Sequence, residues 1–483
     1  MHFRGFIRIL QAGLQLEVNG MDNENYEKRN AAGEEMTAED KANAKFIMMT
    51  ETKIEPLVLR LAIPTIISML ITSIYNMADT YFVGKINTSA TGAVGIVFSL
   101  MAVIQAIGFF FGHGSGNFIS RKLGEKEFEI ADRMASIGFF SALFGGCLIT
   151  IFGFIFMHPL ARMLGATDTI MSYACDYMRF ILLGAPYMTA SLVLNNQMRF
   201  QGNAFYAMIG ITTGGILNIA LDPIFIFGFG LGTSGAALAT IISQFVSFCL
   251  LLHGTRKKGI PVHIKNFRPT PAFFKEIVRG GLPSLARQGC GSIATICLNQ
   301  TAGIYGDAAI AAMSIVTRIM MFASSAMIGF GQGFQPVCGF NYGAKKFDRV
   351  RKAFWFCVKS SFVVLLAISI TGIAFAPQII ELFRKGDPDV VAIGSIALRL
   401  QCISFPFTGF VVLCNMMAQT IGKAVKATTL ALSRQFLFFV PALFLLSGIF
   451  GLTGIEWSQA VADWCSLALS VPIGFSILRE MKE

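Results

Sequence analysis

Twelve stretches of the sequence are apolar over the length that crosses a bilayer, which removes most folds from consideration. A transmembrane helix needs about 20 apolar residues. The stretches run over 57–83, 90–118, 134–158, 169–193, 204–230, 234–254, 276–303, 308–336, 353–376, 390–414, 424–450 and 455–478. In hydrocarbon each segment must pair its own backbone amides, so runs of this length form helices. Composition agrees: 54% of the residues are hydrophobic and 14% charged, where a soluble domain carries about a quarter charged. The expected fold class is an all-α integral membrane protein with twelve transmembrane helices.

Alternate connections are basic. Arg121, Lys122, Lys126 and Arg133 lie in the second, Arg256, Lys257, Lys258, Lys265, Arg268, Lys275 and Arg279 around the sixth, and Lys345, Lys346, Arg349, Arg351 and Lys352 in the eighth. The opposite set holds little beyond Lys85, Arg162, Arg384 and Lys385. The positive-inside rule then puts both termini in the cytoplasm of a multi-pass plasma-membrane protein. The net charge of +11 follows from these loops and gives no reason to expect nucleic acid. Residues 1–52 are polar, with mixed charge and no signal-peptide core, and read as a disordered cytoplasmic extension or a short surface helix, with Met21 a candidate start. Residues 256–275 read as a basic linker between halves at 53–255 and 276–483. The ten cysteines are scattered singly without a CxxC or a Cys/His cluster, so neither disulfides nor zinc are expected.

The chain repeats itself. Shifted by 219 positions, Pro64 falls on Pro283, Gly112 and Gly114 on Gly331 and Gly333, Gly124 on Gly343, and Phe128 on Phe347. With one residue of drift Pro186 meets Pro406 and Gly202 meets Gly422. Six spans per repeat give both halves the same orientation. Two six-helix lobes are therefore expected, related by a pseudo-two-fold along the membrane normal, with a substrate path between them. This favours a transporter over a channel, a receptor or an enzyme. No P-loop is present, and GFGLGTSG at 228–235 reads as a turn between spans.

Polar residues that break the repeat are the informative ones. Asp79 maps to Leu298 and Asp222 to about Ala442, so the shared fold does not require them. At 1.5 Å per residue, Asp79 lies roughly 9 Å from the outer end of the first span, Asp222 roughly 12 Å from that of the fifth, Thr240 roughly 9 Å into the sixth and Tyr177 roughly 14 Å into the fourth. Asn218 is one turn from Asp222. Two carboxylates with an amide, a hydroxyl and a phenol at one depth suit a dehydrated Na⁺ or a shared proton, or else a static network that joins spans. Arg434 and Asp463, both near mid-depth, read as a structural ion pair. His113 among glycines reads as structural or gating, and Arg318 has no evident acid partner.

The stretches NMADTYFVG, LNIALDPIFIFGFGLGTSGAALAT and ISRKLGEK resemble the multidrug and toxic compound extrusion (MATE) family over about residues 53–480. The resemblance implies an antiporter that exports amphipathic, often cationic compounds, driven by entering Na⁺ or H⁺. No cofactor is expected, and a two-lobed repeat can work as a monomer. It places a cation site on Asp79, Asn218, Asp222 and Thr240, with Tyr177 a weaker match. Some members carry acids in the seventh and tenth spans; here the seventh offers Gln288 and Asn299 and the tenth has no acid. The rival expectation is a flippase for lipid-linked oligosaccharides.

Overall fold

A computed structural model describes residues 38–256, 262–264, 267–383 and 387–481. Among these the secondary structure is helical, with short connections and no strand. The first lobe contains α2 (Ile54–Gly84), α3 (Thr88–Gly124), α4 (Phe128–Ile155), the short α5 (Met157–Met163), α6 (Asp168–Phe200), α7 (Ala204–Pro223) and α8 (Gly232–Gly254), and is preceded by α1 (Ala38–Glu51). The second contains α9 (Pro271–Gly303), α10 (Asp307–Gly343), α11 (Phe347–Ala374), the short α12 (Ala376–Phe383), α13 (Pro388–Thr420), α14 (Ala424–Leu432), α15 (Phe439–Phe450) and α16 (Leu452–Glu480). A π-helical turn, Ile224–Gly228, extends α7, and another, Ser433–Leu437, joins α14 to α15.

The repeat extends to backbone detail. Helices α3 and α10 are both 37 residues long, α4 and α11 both 28, and α6 and α13 both 33. Lys126 and Lys345, 219 apart, both adopt positive φ (62° and 56°), and Gly202 and Gly422 do so at 79° and 83°. Asn195 donates to the Ala207 carbonyl at 2.8 Å, and its counterpart Asn415 to that of Ala427 at 2.6 Å.

Among the described residues eleven helices are long and apolar enough to cross a membrane. The expected seventh span is the exception. It is a 33-residue helix, α9, but Lys275, Glu276, Arg279 and Arg287 lower its apolar content. Residues 271–275 belong to this helix, so the expected linker is shorter than 256–275; its residues 257–261 and 265–266 lie outside the described residues.

In the N-terminal extension, the second of the two expected alternatives, a short helix, is the one the described residues adopt. Its residues 1–37 lie outside the described residues, but 38–51 form an ordered helix that touches both lobes. Lys45 donates to the Gly202 carbonyl and Asn203 Oδ1, each at 2.8 Å. From the other lobe Asn341 donates to the Met49 carbonyl at 2.9 Å, and Arg349 to that of Thr52 at 2.6 Å. The Lys45 head, held by one backbone and one side-chain oxygen, and the carbonyls capped from the other lobe explain why so polar a segment stays ordered.

The lobes meet through glycine. Helix α2 packs on α10, and α9 on α3. A side chain at Gly329 or Gly333 would strike the backbone of Thr65–Ile66 or Ala62, and one at Gly280 or Gly281 the backbone of Gly114 or Phe110. The pseudo-symmetric pair closes the seam: Gly124 faces the Phe340 carbonyl and Gly343 that of Arg121. Without a hydrophobic force between helices in lipid, such close backbone approach is how they associate. All these contacts lie in the half of the molecule that carries the basic connections, here the basic end. Toward the far end the helices diverge. Gly291 is three turns along α9 from Gly280 and on the same face, yet nothing lies within 4 Å of it. The cleft is thus sealed at the basic end and open at the other.

Candidate cation site and comparison with known transporters

Helices α2, α6, α7 and α8 bring the five residues singled out in the sequence into one cluster, in the far half of the first lobe. Asn218 donates from Nδ2 to Asp222 Oδ1 at 3.2 Å and to Thr240 Oγ1 at 3.4 Å. Thr240 donates onward to the Ala236 carbonyl at 3.0 Å. The Tyr177 hydroxyl points into the cluster toward Thr240 and lies 3.9 Å from Met101 Sδ. Asp79 reaches in from α2, within Coulombic range of Asp222 and Tyr177. Asp222 and Tyr177 are fully buried, and Asp79 is half-buried.

The local sequence explains the positions. Asn218 and Asp222 are one turn apart on α7, so their side chains share a face. Pro223 cannot donate a helical hydrogen bond, and the chain widens into the π-helical turn directly after it. Gly215, on the same helix, lets α2 approach, since a side chain there would meet Ile71 and Tyr75.

The cluster is short of donors. Asp79 Oδ1, Asn218 Oδ1 and Asp222 Oδ2 are all buried without a hydrogen-bond partner. An unsatisfied buried acceptor costs about 1–3 kcal/mol, more when charged. Two carboxylates and an amide oxygen, with no lysine or arginine among them, are the donor set of a small hard cation or of a proton. Among the described residues no three His, Cys, Asp or Glu side chains come together as they would for a transition metal.

The other candidates separate from this cluster. Arg434 Nε donates to Asp463 Oδ1 at 2.7 Å, and Asp463 also accepts from Ser404 at 3.1 Å and Gln459 at 2.9 Å. His113 is buried between Phe109 and Phe200, with Nδ1 3.0 Å from Ser284 Oγ and Nε2 3.3 Å from Arg199. Arg318 is exposed.

Four residues escaped the sequence reading. Tyr75 is buried one turn from Asp79. Arg199, only 1% exposed, lies at the seam between the lobes. Arg287 sits beside it on α9, and Glu456 is buried four residues into α16. A charge inside an apolar span was the available signal for the last three.

The MatE family model matches residues 64–224 and again 283–448, more than half of the chain. The chain belongs to the MATE family. Its two matched segments begin 219 residues apart, the offset of the internal repeat. Among curated relatives, the multidrug export protein MepA of Staphylococcus haemolyticus is 29% identical over 431 residues, covering 88% of this chain and 94% of its own. MepA of Staphylococcus aureus is 28% identical over 411 residues, covering 84% and 90%. Among solved structures, the outward-facing conformation of a multidrug resistance MATE family transporter aligns with a TM-score of 0.86 at 28% identity, covering 93% of this chain and all of that one. A MATE crystal structure in the bent conformation gives 0.84, covering 90% and 98%. This MATE family member is a multi-pass membrane protein of the transporter fold.

Proposed function

We propose that this MATE transporter exports amphipathic, often cationic drugs across the plasma membrane in exchange for Na⁺ or H⁺, as a monomer with both termini in the cytoplasm. The observation that carries the reading is the cluster of Asp79, Asn218, Asp222, Thr240 and Tyr177: two carboxylates with no lysine or arginine among them and three buried oxygens lacking a hydrogen-bond donor, on one side of a two-lobed cleft. The basic end then faces the cytoplasm, and the cleft as seen is open outward. An entering Na⁺ or H⁺ neutralises the acids, supplying the donor or charge that three buried oxygens lack. The α7 helix, interrupted at Pro223, can change shape as that charge is taken up or released. Rocking the lobes about the glycine seam closes the outer side and opens the inner one, where the ion leaves and drug enters. The names of the MepA relatives favour drug export over other cargo. No bound cofactor or nucleic acid takes part in this scheme.

The test is dye efflux from proteoliposomes under separately imposed Na⁺ and H⁺ gradients. Asp79→Asn and Asp222→Asn are expected to remain folded and to lose at least about 100-fold of gradient-driven efflux, in line with a loss of roughly 3 kcal/mol of coupling. Retained efflux in Asp79→Asn would sink the proposal, and equal loss of folded protein would assign the cluster to structure. A second reading, a flippase for a lipid-linked pyrophosphate, draws support from Arg199 and Arg287 between the lobes. Absence of dye efflux by the wild type, together with flipping of such a lipid, would select it.

A further inference from the structure

The floor of the cleft carries positive charge that no acid answers. Arg199, from α6 of the first lobe, is buried at the seam and bonds only neutral acceptors. It donates to Gln332 Oε1 across the lobe boundary and to Asn196 Oδ1 at 2.6 Å, and it lies 3.3 Å from His113 Nε2. Its Nε has no partner. Arg287, from α9 of the second lobe, stands within Coulombic range of both Arg199 and His113. Among the described residues neither guanidinium forms an ion pair. The nearest acid on α9, Glu276, is taken by Arg121 at 3.0 Å and Arg279 at 2.9 Å.

The helix geometry shows which way Arg287 faces. It is seven residues, two turns, from Gly280, which touches the α3 backbone. It therefore shares the interlobe face of α9. Four residues further on the same face, Gly291 meets open space. Arg287 stands where the two lobes part, half-buried, above the sealed layer formed by Ser284, His113 and Gln419. It is 16 residues from the outer end of α9, roughly 24 Å, whereas Asp79 is roughly 9 Å from the outer end of α2. The cleft thus has acid near its mouth on one wall and base at its floor, about 15 Å deeper.

We propose that Arg287 is an anion-recognition residue at the floor of the cleft, and that it takes the carboxylate of zwitterionic amphiphiles whose cationic end lies toward the acidic wall. A guanidinium suits this because it holds a carboxylate through two parallel hydrogen bonds. Arg199, beneath it and closed off from the cleft, adds a fixed positive field and does not touch the substrate. The pairing is strongest with the lobes closed at the floor, since the two guanidiniums come from different lobes. This inference rests on the export reading for its cargo but is tested apart from coupling.

The experiment uses the purified full-length protein in detergent micelles. Binding of a xanthene dye bearing a free carboxylate, and of its methyl ester, is followed by fluorescence polarisation in wild type and Arg287→Gln. The ratio of acid to ester affinity is expected to fall about tenfold in the variant, the loss of one charge-assisted pair, while Arg287→Lys restores part of it. An unchanged ratio would overturn the assignment. Should Arg287→Gln fail to fold, the wild type decides: phenylacetate must displace the acid dye more readily than the ester, and equal displacement overturns it. Gradient-driven efflux of the ester dye, measured alongside, reports on the export reading independently.

Discussion

Each lobe buries a polar site between its fifth and sixth spans, but only one of the two leaves charge to be neutralised. In the first lobe Asp222 and Thr240 face each other with Asn218 between them, and Asp79 joins from α2. In the second, Arg434 and Asp463 pair at 2.7 Å, with Ser404 and Gln459 completing the carboxylate's hydrogen bonds. Both fifth spans contain a π-helical turn, a widening common at functional sites. In the first lobe it follows Asp222–Pro223, and in the second it carries Arg434 itself. The second lobe has, at a neighbouring rather than an equivalent position, a covalently tethered cation beside its acid, whereas the first has unsatisfied oxygens. A site that supplies its own counter-charge has no need to exchange one, so on the coupling proposed above the same scaffold carries an exchangeable charge in one copy and a brace in the other. Glu456 is the second lobe's other buried acid, but at four residues into α16, roughly 6 Å, it stands near the membrane boundary.

The sharpest way to break this comparison is to remove the acid from the brace. Asp463→Asn strands the Arg434 charge, and breaking such a pair is expected to cost about 3 kcal/mol, read as a lowered thermal unfolding midpoint in detergent. Replacing both, Arg434→Met with Asp463→Leu, should recover most of that loss, because a buried pair is often matched by apolar residues of similar size. Efflux per folded molecule should persist in the double variant. A stable Asp463→Asn protein without efflux would make the second lobe a coupling site too.

Elements shared by the lobes should respond alike. Gly124→Ala and Gly343→Ala each push a methyl group into the partner helix backbone, at the Phe340 and Arg121 carbonyls. Each is expected to cost about 2 kcal/mol by overpacking, and both should raise the labelling of cysteines placed at the basic end of the seam. A large effect from one glycine and none from the other would show that the pseudo-two-fold does not govern closure.

Much of this arrangement was legible before any coordinates. The repeat was visible because glycines and prolines, whose backbone roles leave little room for substitution, kept a constant spacing. Asp79 and Asp222 stood out because a carboxylate in an apolar run needs a reason. Depth along each helix then placed Asn218, Thr240 and Tyr177 in the same layer, since rise per residue is fixed. Depth does not give azimuth, however, so what faces what across lobes stayed hidden. Arg199 reaches His113 and Gln332 from two other helices, and nothing in NNQMRFQG announces this. Tyr75 looked like one more aromatic in a span rich in them. The ninth helix was harder still, because two of its four charges, Glu276 and Arg287, lie along a seam that only the assembled lobes reveal, while Lys275 and Arg279 are exposed.

The N-terminal helix offers the smallest test, and it asks whether the two lobes are held independently. Polarity alone left 38–51 open between disorder and a short surface helix; the helix is held by long-range partners, Gly202 and Asn203 on one lobe, Asn341, Lys346 and Arg349 on the other. Lys45→Ala removes the hydrogen bonds to Gly202 and Asn203 of the first lobe and leaves those to the second. The expected cost is about 1 kcal/mol, the net worth of a hydrogen bond. It should appear as faster amide exchange in the first half of the helix, with the segment near Met49 still protected by Asn341. Asn341→Ala should reverse the pattern. If either substitution freed the whole helix, the two ties would act as one unit, and the lobes would be joined at the basic end by a single cooperative element.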